Sequence, residues 1–124
     1  MPVLLVFGIP ECTKQEKLKV LSRGLREAVV GVEDLGLIGI KQVSVFFPRD
    51  MMKAGLGEEI IIFVEGLFAT RGRTKEVLKD LAQRLGEKVK EYFPKSSVKC
   101  FVETFDLDAS QTGFSGLIPD WKKD

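Results

Sequence analysis

The sequence contains no histidine, and this absence excludes several kinds of active site. Ser-His-Asp and Cys-His nucleophile systems both need an imidazole as general base. Catalytic zinc sites draw heavily on histidine ligands, so we do not expect a zinc enzyme. Any acid–base catalysis must therefore use carboxylates, lysines, a cysteine, an amino-terminal amine or the single tyrosine, Tyr92.

Cysteine is also scarce, since Cys12 and Cys100 are the only two and neither has a C-x-x-C or other metal-binding spacing. We expect both to be reduced, buried thiols rather than a disulfide. The first ten residues are apolar, but no basic segment precedes them and no small-residue cleavage site follows. This favours a strand over a signal peptide and predicts a cytoplasmic protein. No apolar run reaches the roughly 18–20 residues that a membrane span needs.

Positive and negative charges are nearly equal in number, because the sequence has 19 Lys and Arg and 18 Asp and Glu, for a formal net charge of +1. This gives no reason to expect nucleic acid or a membrane surface as a partner. Glycine-rich phosphate-binding patterns are missing as well. The length of 124 residues suits one domain with one core. We expect a single domain over 1–117, built from halves of about 2–50 and 58–117, with a tail at 118–124.

What is present is a pattern of apolar residues that predicts two β-α-β units in succession. The first helix is predicted to start at a capping box, Thr13–Glu16 (TKQE), and to stop at Gly31. The second helix follows RGRT, which ends at Thr74. The predicted strands are Val3–Ile9, Ile38–Phe47, Glu59–Ala69 and Val98–Phe105, with Thr112–Leu117 as a short fifth.

The two helices also match each other when the sequence is shifted by 60 residues, with seven identities over the fourteen positions 16–29. This favours an internal duplication. Two such units with right-handed crossovers predict an α+β fold in two layers: a four-stranded sheet with both helices on one face. The other face would expose Val, Ile and Phe side chains, which argues for an oligomer that covers it.

Three stretches together resemble a known family. The chain begins with Met-Pro and a strand, and Gly72–Glu76 (GRTKE) is similar to a GRSDE helix entry. Asp106–Phe114 (DLDASQTGF) is similar to a DMNAANVGW stretch. These features resemble the tautomerase superfamily, which includes macrophage migration inhibitory factor, 5-carboxymethyl-2-hydroxymuconate isomerase and 4-oxalocrotonate tautomerase. Gly39–Lys41 (GIK) also resembles the GIR that opens the second strand of the muconate isomerase.

The resemblance implies a homotrimer with sites between subunits and a cofactor-free reaction. Pro2, freed of Met1, would be the general base that moves a proton in the keto–enol conversion of a small α-keto or enol carboxylic acid. The residues that the resemblance assigns to the substrate are Arg73, Arg71, Lys41, Phe101, Glu103 and Phe114. Glu103 stands where the family has an asparagine, and its charge would repel a carboxylate and raise the pKa of the amine.

Each of these residues also has a purely structural interpretation. Pro2 would then only start a strand, Arg71, Arg73 and Lys41 would be solvated charges, and Phe101 and Phe114 would lie in the core. If Met1 is retained, Pro2 has an amide nitrogen and cannot be a base. The chain would then be a non-catalytic relative with a binding function, which a buried or salt-bridged Arg73 would favour. A third alternative is a ferredoxin-like binding module, dimeric through its open sheet face.

Overall fold

Two β-α-β halves follow one another along the chain, as the apolar pattern predicts. The computed structural model describes residues 1–51, 58–108 and 112–117. The first half contributes β1, α1 and β2, and the second half contributes β3, α2 and β4. Their bounds are β1 Val3–Phe7, α1 Gln15–Val30, β2 Ser44–Phe46, β3 Glu59–Phe68, α2 Lys75–Tyr92 and β4 Ser97–Phe105.

The four strands form one mixed sheet in the order β2-β1-β3-β4. Pairing is parallel within each half, between β1 and β2 and between β3 and β4. The halves meet through the antiparallel pair of β1 and β3. The amino ends of β1 and β2 therefore lie at the same end of the sheet as the carboxyl ends of β3 and β4. The predicted α+β fold with a four-stranded sheet is confirmed.

Both helices pack on one face of this sheet and bury equivalent stripes of three residues. In α1 these are Leu21, Leu25 and Val29, and in α2 they are Leu81, Leu85 and Val89. Each pair is separated by 60 residues, as the sequence match predicts. The core is completed by alternate strand residues that point toward the helices: Leu4, Val6, Ile60, Ile62 and Val64. Its apolar burial is the main source of stability.

The opposite face of the sheet is open and apolar. Phe63 of β3 lies at its centre and contacts two other rings. Its centroid is 5.9 Å from that of Phe7, edge to face, and 5.5 Å from that of Phe101, in a stacked pair. Phe101 remains 50% exposed and Phe46 on β2 remains 55% exposed. In a single copy of the chain the predicted uncovered face is thus in contact with water.

The predicted cap of the first helix is wrong. The N-cap position of α1 is Lys14 and no side chain caps it. The backbone N–H of Thr13 instead donates to the Pro10 carbonyl at 3.0 Å, which closes a turn before the helix begins. The second helix has a side-chain cap, because the hydroxyl of Thr74 accepts from the Val77 N–H at 3.3 Å.

The second predicted strand is much shorter than expected. Ser44 pairs with Val3, the first residue of β1, so the residues before Ser44 extend past the start of their neighbour and have no strand to join. They form a 3-10 turn at Ile40–Gln42 instead. The Gln42 side chain accepts from the Ile38 N–H at 2.6 Å and stabilises this turn locally. Lys41 therefore lies in a turn and not in a strand.

The predicted fifth strand is also not observed, since residues 112–117 are described and lie outside any strand. The Thr112 hydroxyl donates to the Asp106 carbonyl at 2.6 Å, which holds the segment near the end of β4. The predicted loop at 53–57 and the tail at 118–124 fall outside the described residues. Within the described part of the chain, no helix is long and apolar enough to cross a membrane.

Candidate functional site

The amino terminus is fixed at the edge of the sheet where β1 begins. Pro2 is buried, and its carbonyl accepts a hydrogen bond of 3.1 Å from the Ser44 N–H at the start of β2. Proline lacks an N–H, so nothing is lost by placing it ahead of the first ladder pair. Met1 precedes it and is 39% exposed. The position of the predicted base is therefore well defined and close to solvent.

Arg73 is the cation that acts on this terminus. Its guanidinium donates to two backbone carbonyls, that of Phe68 at 2.7 Å and that of Leu35 at 2.8 Å. Its Nε is shielded from solvent and has no hydrogen-bond partner in the described part of the chain. Arg73 thus ties the end of β3 to the loop that follows α1, with its guanidinium plane fixed by two bonds.

Burial and, second, the Arg73 charge lower the pKa of the Met1 α-amine below its ordinary value. Both effects disfavour the protonated amine. Burial also lowers the pKa of the Arg73 guanidinium itself, although an arginine side chain remains charged at neutral pH. The end of the sheet therefore combines a fixed cation with an amine that releases its proton more readily than usual.

The topology brings most of the other predicted site residues to this same end. Arg71 is exposed in the turn between β3 and α2, and Lys41 is exposed in the turn that leads to β2. Glu103 is exposed near the carboxyl end of β4. Phe114 is 60% exposed and packs edge-on against Phe68, with ring centroids 4.9 Å apart. The strand order therefore brings residues that are distant in the sequence to one end of the sheet.

Phe101 is placed differently from the others. It lies in the middle of β4 on the open face and pairs in register with Phe63. Since β3 separates β4 from β1, about 10 Å of sheet lies between Phe101 and the first strand. Phe101 is thus neither a core residue nor a close neighbour of Pro2 within one copy of the chain.

Gly66 is a residue at this end that the sequence analysis did not single out. It has a φ of +79° and lies at a bulge, where the pairing of β3 with β4 shifts between Val64 and Leu67. A Cβ at Gly66 would be 2.8 Å from the Met1 carbonyl oxygen. An isolated glycine inside a strand pattern is a recognised signal for a bulge or a close approach of backbones, and could have identified it.

A cleft of about 620 Å³ lies at the opposite end of β1. It is lined by the start of α1 and the segment after β2, including Pro10, Leu18, Phe47 and Arg49. None of the predicted site residues lines it, so this cleft and the amino-terminal site are two separate places in the fold. The cleft combines one arginine with three carboxylates, so its lining has charges of both signs.

The two cysteines contribute little to either place. Both are free thiols, but Cys12 is exposed, so the prediction that both are buried is wrong for this residue. Its position in the turn before α1 leaves its side chain in solvent. Burial raises the pKa of the Cys100 thiol to about 12. Among the described residues, no group of three or more His, Cys, Asp or Glu is placed to hold a metal ion.

Comparison with solved structures identifies the architecture. A structure described as the asymmetric trimer of wild-type fused 4-OT is 21% identical, with a TM-score of 0.69 over 90% of this chain and 92% of that one. The chain has the tautomerase fold. Macrophage migration inhibitory factor of Toxoplasma gondii shares 14% identity, with a TM-score of 0.62 over 90% of this chain and 99% of that one.

A third similar structure is N1, a member of the cis-3-chloroacrylic acid dehalogenase family, at 17% identity and a TM-score of 0.65 over 94% of this chain and 83% of that one. No protein-family model matches the sequence, and no curated protein does. The resemblance identified from the sequence is thereby confirmed at the level of the fold.

Proposed function

We propose that the protein is a cofactor-independent tautomerase that acts on a small α-keto or enol carboxylic acid. The amine of Pro2, released when Met1 is removed, would be the general base. The observation that carries this proposal is the position of Arg73 at the amino terminus, where burial first and the Arg73 charge second lower the pKa of the α-amine. Pro2 becomes the amino terminus after processing, and we propose that burial and the Arg73 charge lower the pKa of its amine in the same direction.

The physical argument concerns the fraction of amine that is free base. An unperturbed α-amine has a pKa of roughly 8, so most of it is protonated at neutral pH. A lower pKa leaves more of the amine ready to accept a proton from substrate carbon and to return it elsewhere. The pyrrolidine ring is rigid and its carbonyl is held by Ser44, so the lone pair has one direction.

Arg73 would also stabilise the negative charge of the enolate or of the substrate carboxylate. Two of its five N–H groups bind the carbonyls of Leu35 and Phe68, which leaves donors for an anion. Arg71 and Lys41 are further cations at this end and are candidate carboxylate ligands. Phe114 would form an apolar edge of the site.

We also propose that the working form is a homotrimer in the cytoplasm. The open apolar face, with Phe63 at its centre, needs a cover, and similar structures are described as trimers. Phe101 and Glu103 are on this face, so a second copy would be needed to bring Phe101 close to a Pro2 amine. The Glu103 carboxylate would repel a substrate carboxylate. A bound substrate would therefore place its carboxylate toward Arg73 and away from Glu103.

An intact-mass measurement tests the proposal first. Loss of one methionine would leave the Pro2 amine free, and the processed protein should then interconvert the enol and keto forms of phenylpyruvate. Pro2→Ala is the matched control, because alanine also permits methionine removal but provides a flexible primary amine. A protein that keeps Met1, or a processed protein without activity, would rule out this function.

The second candidate is a non-catalytic binding protein with the tautomerase fold. The observation that favours it also concerns Arg73, which is partly buried and donates to two backbone carbonyls, as an arginine with a purely structural role would. Retention of Met1 would support this function, since the Pro2 nitrogen would then be an amide. The mass measurement therefore separates the two candidates before any substrate is tested.

A further inference from the structure

The Met1 carbonyl lies in a narrow space beside the backbone of Gly66. The pairing of β1 with β3 ends at Val3 and Glu65, so Gly66 is the next residue and lies opposite the amino terminus. A Cβ on Gly66 would be 2.8 Å from the Met1 carbonyl oxygen, 3.8 Å from the Met1 carbonyl carbon and 3.8 Å from the Pro2 Cα. The first distance is a collision, and the other two are ordinary van der Waals contacts.

Removal of Met1 would empty this space while Pro2 stays in place. The Pro2 carbonyl accepts from the Ser44 N–H, a hydrogen bond in which Met1 takes no part. The Met1 carbonyl carbon is bonded to the Pro2 nitrogen, so the vacated space adjoins the nitrogen directly. A ligand carbon that approaches this nitrogen takes the carbonyl carbon's position, and one of its heavy-atom substituents takes the position of the oxygen.

We propose that Gly66 is a specificity-determining residue of the amino-terminal site. Because it has no side chain, it leaves room beside Pro2 for a carbonyl compound with heavy atoms on both sides of its reacting carbon, as an α-keto acid has. Any side chain at this position would exclude such a ligand and still admit a single carbon. The inference rests on the free Pro2 amine of the proposed function, but it predicts binding at that amine rather than turnover.

Gly66→Ala tests it in protein treated with methionine aminopeptidase until the intact mass falls by one methionine. Pyruvate and the Pro2 amine form an iminium with loss of water, and cyanoborohydride adds hydride to give a stable N-alkyl product. Formaldehyde reacts in the same way but places only one carbon on the nitrogen. Peptide mapping measures both products at Pro2 alone, separately from the lysines.

The expected result is selective. In Gly66→Ala, labelling of Pro2 by pyruvate falls by about tenfold or more, while methylation by formaldehyde stays within about twofold of the unchanged protein. Equal labelling of both proteins by pyruvate would overturn the inference, as would an equal loss of both labels. Labelling that depends on Gly66 in a protein without phenylpyruvate activity would uphold the inference and refute only the proposed function.

Gly36→Ala controls for backbone strain, because Gly36 has a similar φ of +72° and open space around its Cβ position. After Met1 removal both variants should unfold at the same urea midpoint, since the colliding oxygen has gone. In protein that retains Met1, Gly66→Ala should unfold at a lower midpoint than Gly36→Ala. Equal midpoints in the Met1-retaining proteins would show that the close approach at Gly66 is wrong.

Discussion

Replacement of Arg73 by alanine should destabilise the fold as well as the site. The guanidinium makes two hydrogen bonds to backbone carbonyls, and bonds that involve a charged group each contribute about 1.5–3 kcal/mol. Arg73 is partly exposed, so water replaces part of what is lost. We therefore expect the free energy of unfolding to fall by about 2–4 kcal/mol, toward the upper end of single-residue effects.

Urea unfolding followed by circular dichroism, at one fixed protomer concentration, measures this loss, because the stability of an oligomer depends on concentration. Arg71→Ala is the matched control: it removes an exposed arginine two residues away and should change stability by no more than about 0.5 kcal/mol. If Arg73→Ala is as stable as Arg71→Ala, the two carbonyl contacts do not hold the loop to β3, and the argument for a fixed cation fails.

The same variant changes the dependence of stability on pH. In the folded protein the pKa of the amino terminus is lowered, so the folded state binds fewer protons than the unfolded state at pH values below about 8. Stability should therefore rise with pH as this value is approached from below. Loss of Arg73 removes one cause of the shift and should flatten the rise, whereas Arg71→Ala should leave it unchanged.

Three further predictions address the helices, the thiols and the open face. Thr74→Ala should lower the free energy of unfolding by about 1 kcal/mol because it removes the side-chain cap of α2. Thr13→Ala, at a position that makes no cap bond, should lower it by less than about 0.5 kcal/mol. Equal losses of the two variants in urea unfolding would contradict this. With Ellman's reagent at pH 8, exposed Cys12 should react promptly and Cys100, with a pKa of about 12, only on unfolding, and a fast second thiol in the folded protein would show that Cys100 is accessible. Phe101→Lys should reduce the mass measured by light scattering from that of a trimer to that of one chain, and an unchanged mass would mean that the open face is not the interface.

Regular periodicity explains why the helices and the central strands could be predicted from the sequence. Leu81, Leu85 and Val89 are spaced four residues apart, which places them on one face of a helix. The apolar run in β3 is typical of a strand buried in the core. The second strand could not be bounded in this way. Its apolar alternation continues before Ser44, but a strand needs a partner, and β1 begins only at Val3.

The residues proposed for the candidate site differ in how far the sequence alone indicates them. Pro2 and Arg73 belong to local motifs, so the resemblance could identify them. The two carbonyls that hold Arg73 could not be foreseen, because Leu35 is distant in sequence and carbonyl groups are common to every residue. Gly66 was missed because its importance comes from the backbone of Met1, which only the antiparallel register of β1 and β3 brings alongside.

The two similar halves differ at the residue that precedes their first strand. Each half contains two parallel strands that are connected through a helix, and both helices lie on the same face of the sheet. The halves differ in that β1 follows the amino-terminal Met1 and Pro2, whereas β3 follows a connecting segment. Among backbone nitrogens only a terminal one can be an amine, whereas the nitrogen of Glu59 at the start of β3 is an amide. Duplication of the scaffold would therefore not duplicate the base that we propose at Pro2. Whatever number of copies assemble, a titration of reactive amines at this position should count chains and not halves.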